Sequence, residues 1–152
     1  MTRFEILDQL GGVGLKGYGR TLEELFGNLA LGMFGLVAEV TVVQPMASVP
    51  ILAQAETLEA LLVAWLNELL RAAARDQFLF MNCRVHNVTP VPVDNPAGAG
   101  EPPILCISGE ATGEVLDPSR HAVSRTIKTV TGHESGVRHA GDQWVAQVTF
   151  GL

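Results

Sequence analysis

Apolar residues recur at helical spacing twice in the first half of the chain. Leu22, Leu25, Phe26, Leu29, Met33, Phe34 and Val37 form one stripe, opened by Thr21-Leu22-Glu23-Glu24. That opening has the capping-box layout: the Thr21 hydroxyl can take the amide of residue 24, and Glu24 can reach back to the amide of Thr21. Leu58, Leu61, Leu62, Trp65, Leu66, Leu69 and Leu70 form a second stripe, predicting a helix over about 58–73 capped by Thr57. Both helices also carry apolar residues off the stripe: Ala30, Leu31 and Leu36 in the first, Ala60, Val63 and Ala64 in the second. A helix apolar on all sides is covered on all sides. Each buried leucine contributes roughly 1.5–3 kcal/mol, and an exposed face of this kind invites aggregation. The pattern therefore predicts two helices packed between two sheets.

The remaining segments read as strands. Residues 3–8 and 13–18 make a hairpin around a Gly11-Gly12 turn. Residues 40–44 and 49–55 are predicted as strands around Gln44-Pro45, with Pro50 setting the second at an edge or at its start. Further strands are predicted at 78–88, 104–114, 122–131 and 144–150. In the last, Trp144, Ala146, Val148 and Phe150 alternate with Val145, Gln147 and Thr149, as in a strand with one covered face. Pro90 to Pro103 is rich in Pro, Gly and Ala and is expected to be a mobile surface loop. The predicted fold is α+β: one domain over residues 1–152, with two helices between mainly antiparallel sheets.

Composition narrows the function classes. A chain of 152 residues that is 47% hydrophobic and 17% charged is a compact globular domain. Its longest apolar run, Ala60 to Leu66, is too short to span a bilayer. The N-terminus has no signal-peptide layout, so the expected compartment is the cytoplasm and no membrane partner is expected. A net charge of −6 disfavours direct nucleic-acid binding and suits docking on a basic protein surface. Cys83 and Cys106 are far apart in apolar, strand-like surroundings and read as ordinary core thiols.

Candidate chemistry is sparse. Gly11-Gly12-Val13-Gly14 has no following Lys-Ser/Thr and leads into a strand, which excludes a phosphate cradle at a helix N-terminus. His86, His121, His133 and His139 lack the spacing of a zinc pair and are read as surface or locally bonded residues. No Gly-x-Ser-x-Gly elbow occurs. Asp117-Pro118-Ser119-Arg120 is a turn in which the aspartate can bond amides ahead of it. Nothing among these residues nominates a catalytic centre.

Several segments together resemble the archease family. They are Phe4-Glu5-Ile6-Leu7-Asp8, Tyr18 to Phe26, Ala30 to Phe34, Leu61 to Leu70, Asp117-Pro118-Ser119-Arg120-His121 and Ile127 to Thr131, in the family's order. The resemblance implies two helices enclosed by sheets and an accessory protein rather than an enzyme. It implies activation of an RtcB-type tRNA-splicing RNA ligase, by promoting guanylylation of that enzyme's active-site histidine. The alternative it implies is a chaperone-like scaffold for a tRNA-methylating enzyme.

The resemblance also implies a divalent cation, usually calcium, and here the chain departs from the family. The family turn His-Thr-Ala-Asp-Val-Gly is Gln9-Leu10-Gly11-Gly12-Val13-Gly14, so Gly12 stands at the first ligand position. The family's penultimate aspartate is Gly151, and only the terminal carboxylate of Leu152 remains from that set. The tyrosine that often precedes the family's next histidine is also gone, leaving Gly132-His133. Hard cations want several oxygen ligands, commonly carboxylates. Asp8 and Asp142 are the conceivable substitutes, and a rebuilt site is not expected. The expectation is no metal, no cofactor, and partner contacts through Asp8, Gln9, Lys128, His133 and Leu152.

Overall fold

The computed structural model describes residues 3–9, 12–91, 104–117, 119, 121, 123 and 127–151. The strands are β1 (Phe4–Gln9), β2 (Gly12–Gly19), β3 (Ala47–Ala55), β4 (Phe78–Val91), β5 (Ile104–Val115), β6 (Thr129–Ala140) and β7 (Gln143–Gly151). The helices are α1 (Leu22–Val37) and α2 (Leu58–Asp76). One antiparallel sheet has the order β1-β2-β7-β6 and the other β3-β5-β4. The helices lie between them, with α1 against β2 and β4 and α2 against β3 and β6. The expected α+β layering is observed.

Both helices start where their caps predict. The Thr21 hydroxyl accepts the Glu24 amide at 3.1 Å, and the Thr57 hydroxyl accepts the Ala60 amide at 3.1 Å. Leu25, Phe26, Leu29 and Ala30 of α1 are wholly buried, as are Leu61, Trp65, Leu66 and Leu69 of α2. Trp65 joins the two helices, its indole N–H donating to the Phe26 carbonyl at 3.3 Å. Gly32 lets α1 lie close to the first sheet: a Cβ there would stand 2.7 Å from Leu15 Cδ2. α1 is enclosed as expected, but α2 is not. Ala60 is exposed and Val63 and Ala64 are half-buried, because α2 runs along the rim of the layer.

Four expectations need correction. Residues 40–44 do not form a strand; Val40–Val42 is a single 3-10 turn. Their segment lies across the outside of the second sheet, where Ala38 and Val43 pack on Leu79 and the Gln44 and Met46 amides bond Glu114 and the Gly113 carbonyl. The strand predicted at 122–131 begins at Thr129 and continues to Ala140; Val123 makes only a single bridge, to Ala38. β6 returns into β7 through Gly141-Asp142, with φ +67 at Gly141, the arrangement of a two-residue turn with glycine first. Pro90 and Val91 belong to β4, and the rest of the expected loop, 92–103, lies outside the described residues. In the first hairpin Gly12 is a strand residue opposite Gln9, so the connection is Leu10-Gly11, also outside them.

Candidate functional site

Gly12 and Gly151, which stand where the resemblance leads one to expect metal ligands, meet at one end of the first sheet. β2 begins at Gly12 and β7 ends at Gly151. The pair just inside them, Val13 and Phe150, is matched across the strands and buried. Antiparallel pairing of this kind sets opposed Cα atoms about 4.5–5.5 Å apart. Side chains at positions 12 and 151 would therefore start from adjoining strand ends. β6 completes the corner: Thr129 is opposite Gly151, and the Lys128 amide donates to the Gly151 carbonyl at 2.8 Å.

Neither glycine offers a side-chain oxygen, and the space at one is already taken. A Cβ on Gly151 would stand 2.5 Å from Thr129 Oγ1, so the threonine hydroxyl sits where a longer side chain would begin. These residues do not fit a hard divalent cation, which needs several oxygen donors. Asp142 cannot supply one. It lies in the turn before β7, whose nine residues cover about 30 Å at ~3.3 Å each before Gly151 is reached. Asp8 is nearer, opposite Val13 in β1.

Of the expected partner-binding residues, Lys128 is exposed beside Gly151. It borders an open groove of ≈ 490 Å³ shared with Ala64, Asn67, Glu68, Arg71 and Ile127. Gln9 is opposite Gly12 on the neighbouring strand, and His133 follows Gly132 in β6 where the pairing with β7 shifts register. The side chains of Asp8, Gln9 and His133, and all of Leu152, lie outside the described residues.

Asn67 was not singled out by itself, yet it builds this corner. Its side-chain amide donates to the Val130 carbonyl and accepts from the Val130 amide, both at 3.3 Å, and donates to the Val63 carbonyl at 3.0 Å. It acts as a one-residue strand on the open side of β6. Two turns back on α2, Glu59 accepts the Val137 amide at 3.2 Å. Val63 lies between them in sequence, 3.6 Å from a Cβ built on Gly132. The spacing 59, 63, 67 puts all three on one helix face. That spacing and a strand through Val130 are readable in the sequence; the continuation of the strand past Val137 is not.

A second polar cluster lies away from this corner. His121 is buried, contrary to a surface reading, though it is locally bonded as expected. Its Nδ1 accepts the Asp117 amide at 2.9 Å, which leaves the neutral ring's proton on Nε2, 3.4 Å from Glu114 Oε2. Asp117 also accepts the Ser119 amide at 3.0 Å, the turn bond expected of it. His86 and His139 are exposed, the latter edge-on to Trp144 with centroids 4.9 Å apart. Cys83 and Cys106 are both free and half-buried; Cys83 packs against the core with its Sγ 3.7 Å from the Gly27 carbonyl, and burial pushes its pKa from 9.0 up to about 12. Among the described residues no group of three or more His, Cys, Asp and Glu side chains is arranged to hold a metal. No helix among them is long and apolar enough to cross a membrane.

Two helices layered between antiparallel sheets, with a corner built by the ends of β2, β6 and β7, define an archease-type α+β domain. The chain belongs to the Archease protein family, whose model matches residues 4–152. It is 31% identical over 148 residues to a protein archease of Thermococcus gammatolerans, covering 97% of this chain and 96% of that one. It is 31% identical over 150 residues to the protein archease of Methanosarcina barkeri, covering 99% and 96%. Among solved structures it is similar to the solution structure of Methanobacterium thermoautotrophicum protein 1598. That similarity has a TM-score of 0.77 and 26% identity over the full length of both chains.

Proposed function

We propose that this chain is a non-enzymatic accessory protein that docks on an RtcB-type RNA ligase and promotes its guanylylation without the family's calcium site. The family membership over residues 4–152 supports the accessory role. The observation that carries the metal-free reading is the pair of glycines on adjoining strand ends, with the Thr129 hydroxyl where a side chain at 151 would begin. Activation then proceeds by surface complementarity alone. A net charge of −6 suits a basic RNA-processing enzyme, and such complementarity acts chiefly on association rate and specificity. The ligase, not this chain, holds the nucleic acid, and both are cytoplasmic.

The partner reading is tested by size-exclusion chromatography of this protein mixed with the ligase of the same organism at micromolar concentration. A co-eluting complex that persists in a calcium chelator is expected. Separate elution of the two proteins would rule the reading out. Lys128→Glu makes the chain more acidic, so overall charge alone would tighten binding to a basic surface; a contact at this corner is instead expected to make the variant bind about tenfold more weakly, with unchanged melting temperature.

A further inference from the structure

Each sheet has two edge strands, and three of the four edges are blunted within the molecule. On β6, Asn67 and Glu59 bond the outward groups of Val130 and Val137. On β4, Glu23 Oε1 accepts the Val88 amide at 3.3 Å. On β3, Pro50 removes a donor. Among the described residues nothing bonds the outer edge of β1. Unpaired edges are templates for another strand, and proteins either block them or use them.

The pairing of β1 with β2 fixes which groups point outward. The Tyr18 amide donates to the Arg3 carbonyl at 2.9 Å, so Arg3 is in a hydrogen-bonded pair. Alternation then turns Glu5, Leu7 and Gln9 toward β2, and directs the backbone N–H and C=O of Phe4, Ile6 and Asp8 away from it. Ile6 is opposite Leu15, which is wholly buried, so its side chain is on the helix-facing side of the sheet. It is nevertheless 54% exposed.

We infer that β1 pairs with β1 of a second copy of this chain, antiparallel, with Ile6 opposite Ile6. A two-fold axis perpendicular to a sheet can oppose only residues on the same face. Centred on Ile6, it matches the outward groups of Phe4 with those of Asp8 and brings the two exposed isoleucines together. Centred on Glu5, it would oppose two carboxylates. The two four-stranded sheets become one continuous sheet. The inference stands apart from the ligase reading and does not depend on it.

Sedimentation of the full chain over a range of concentrations tests this. The expected result is a species of twice the 16.2 kDa chain mass. Ile6→Lys should raise the dimer dissociation constant at least about tenfold, with an unchanged circular dichroism spectrum. Ile6→Cys should give a disulfide-linked dimer on mild oxidation beyond any formed by the natural chain, and Glu5→Cys should not. A natural chain that sediments at 16.2 kDa at every concentration up to millimolar would overturn the inference, as would an Ile6→Lys variant that dimerises equally well. If Ile6→Lys fails to fold, the Ile6→Cys cross-link decides: its presence supports the pairing and its absence overturns it.

Discussion

Trp65, which is buried, and Cys83, which is half-buried against the core, show how differently two side chains reveal themselves. Trp65 lies in a leucine stripe, so its burial follows from the spacing, and its indole N–H finds the Phe26 carbonyl. Trp65→Ala should cost about 3–5 kcal/mol in urea unfolding, the loss expected for deleting a fully buried aromatic. Cys83 has a pH signature. Its folded pKa, about 12, is above the ordinary 9.0, so folded and unfolded thiols are both protonated below pH 9 and contribute no pH dependence. Between those values only the unfolded chain loses the proton, and stability should fall by about 1.4 kcal/mol per pH unit. Comparing alkaline unfolding of the natural chain with Cys83→Ala, which should lack this component, checks it. His121 was not readable as buried, because the group it faces is Glu114, itself bonded by the Gln44 amide, and no local pattern links either to it. That positions 12 and 151 carry glycine, and no carboxylate, is a fact of sequence. That they adjoin in space needed the β2–β7 register.

At the scale of elements, the caps and apolar stripes gave both helices nearly to their ends, while β6 was misjudged at both ends. Its stretch from Gly132 to Ala140 is polar and glycine-broken, with φ +66 at Gly136, and shows no two-residue alternation. What holds it is non-local: the hairpin with β7 on one side and the 59, 63, 67 face of α2 on the other. Asn67→Ala should therefore leave α2 intact but strand the Val130 amide and carbonyl, costing about 1–3 kcal/mol. Amide exchange should accelerate at Val130 and Lys128 before it does in β2. Uniform acceleration across the sheet would mean that Asn67 serves general stability and not the corner. Residues 40–44 failed as a strand for a related reason: the Gln44 amide, and just beyond it the Met46 amide, bond Glu114 and Gly113 at the end of β5, which only the fold brings near.

For the molecule as a whole, the off-stripe apolar residues announced the layering. They were right for α1, which is sandwiched, and half right for α2, whose Ala60-Val63-Ala64 side is left partly open at the rim. That rim adjoins the Lys128 groove and the Gly12–Gly151 corner. On the proposed reading, a corner that keeps its strands while glycines stand at both expected ligand positions should support ligase activation without calcium. The direct measurement is multiple-turnover RNA ligation by the cognate ligase, with and without this protein, each in the presence and absence of a calcium chelator. Stimulation of equal size in both conditions is the expected result. A Gly12→Asp, Gly151→Asp double variant, in which Thr129 can rotate its hydroxyl aside, should make that stimulation sensitive to the chelator. No stimulation by the natural protein, or stimulation that the chelator abolishes, would contradict the metal-free account.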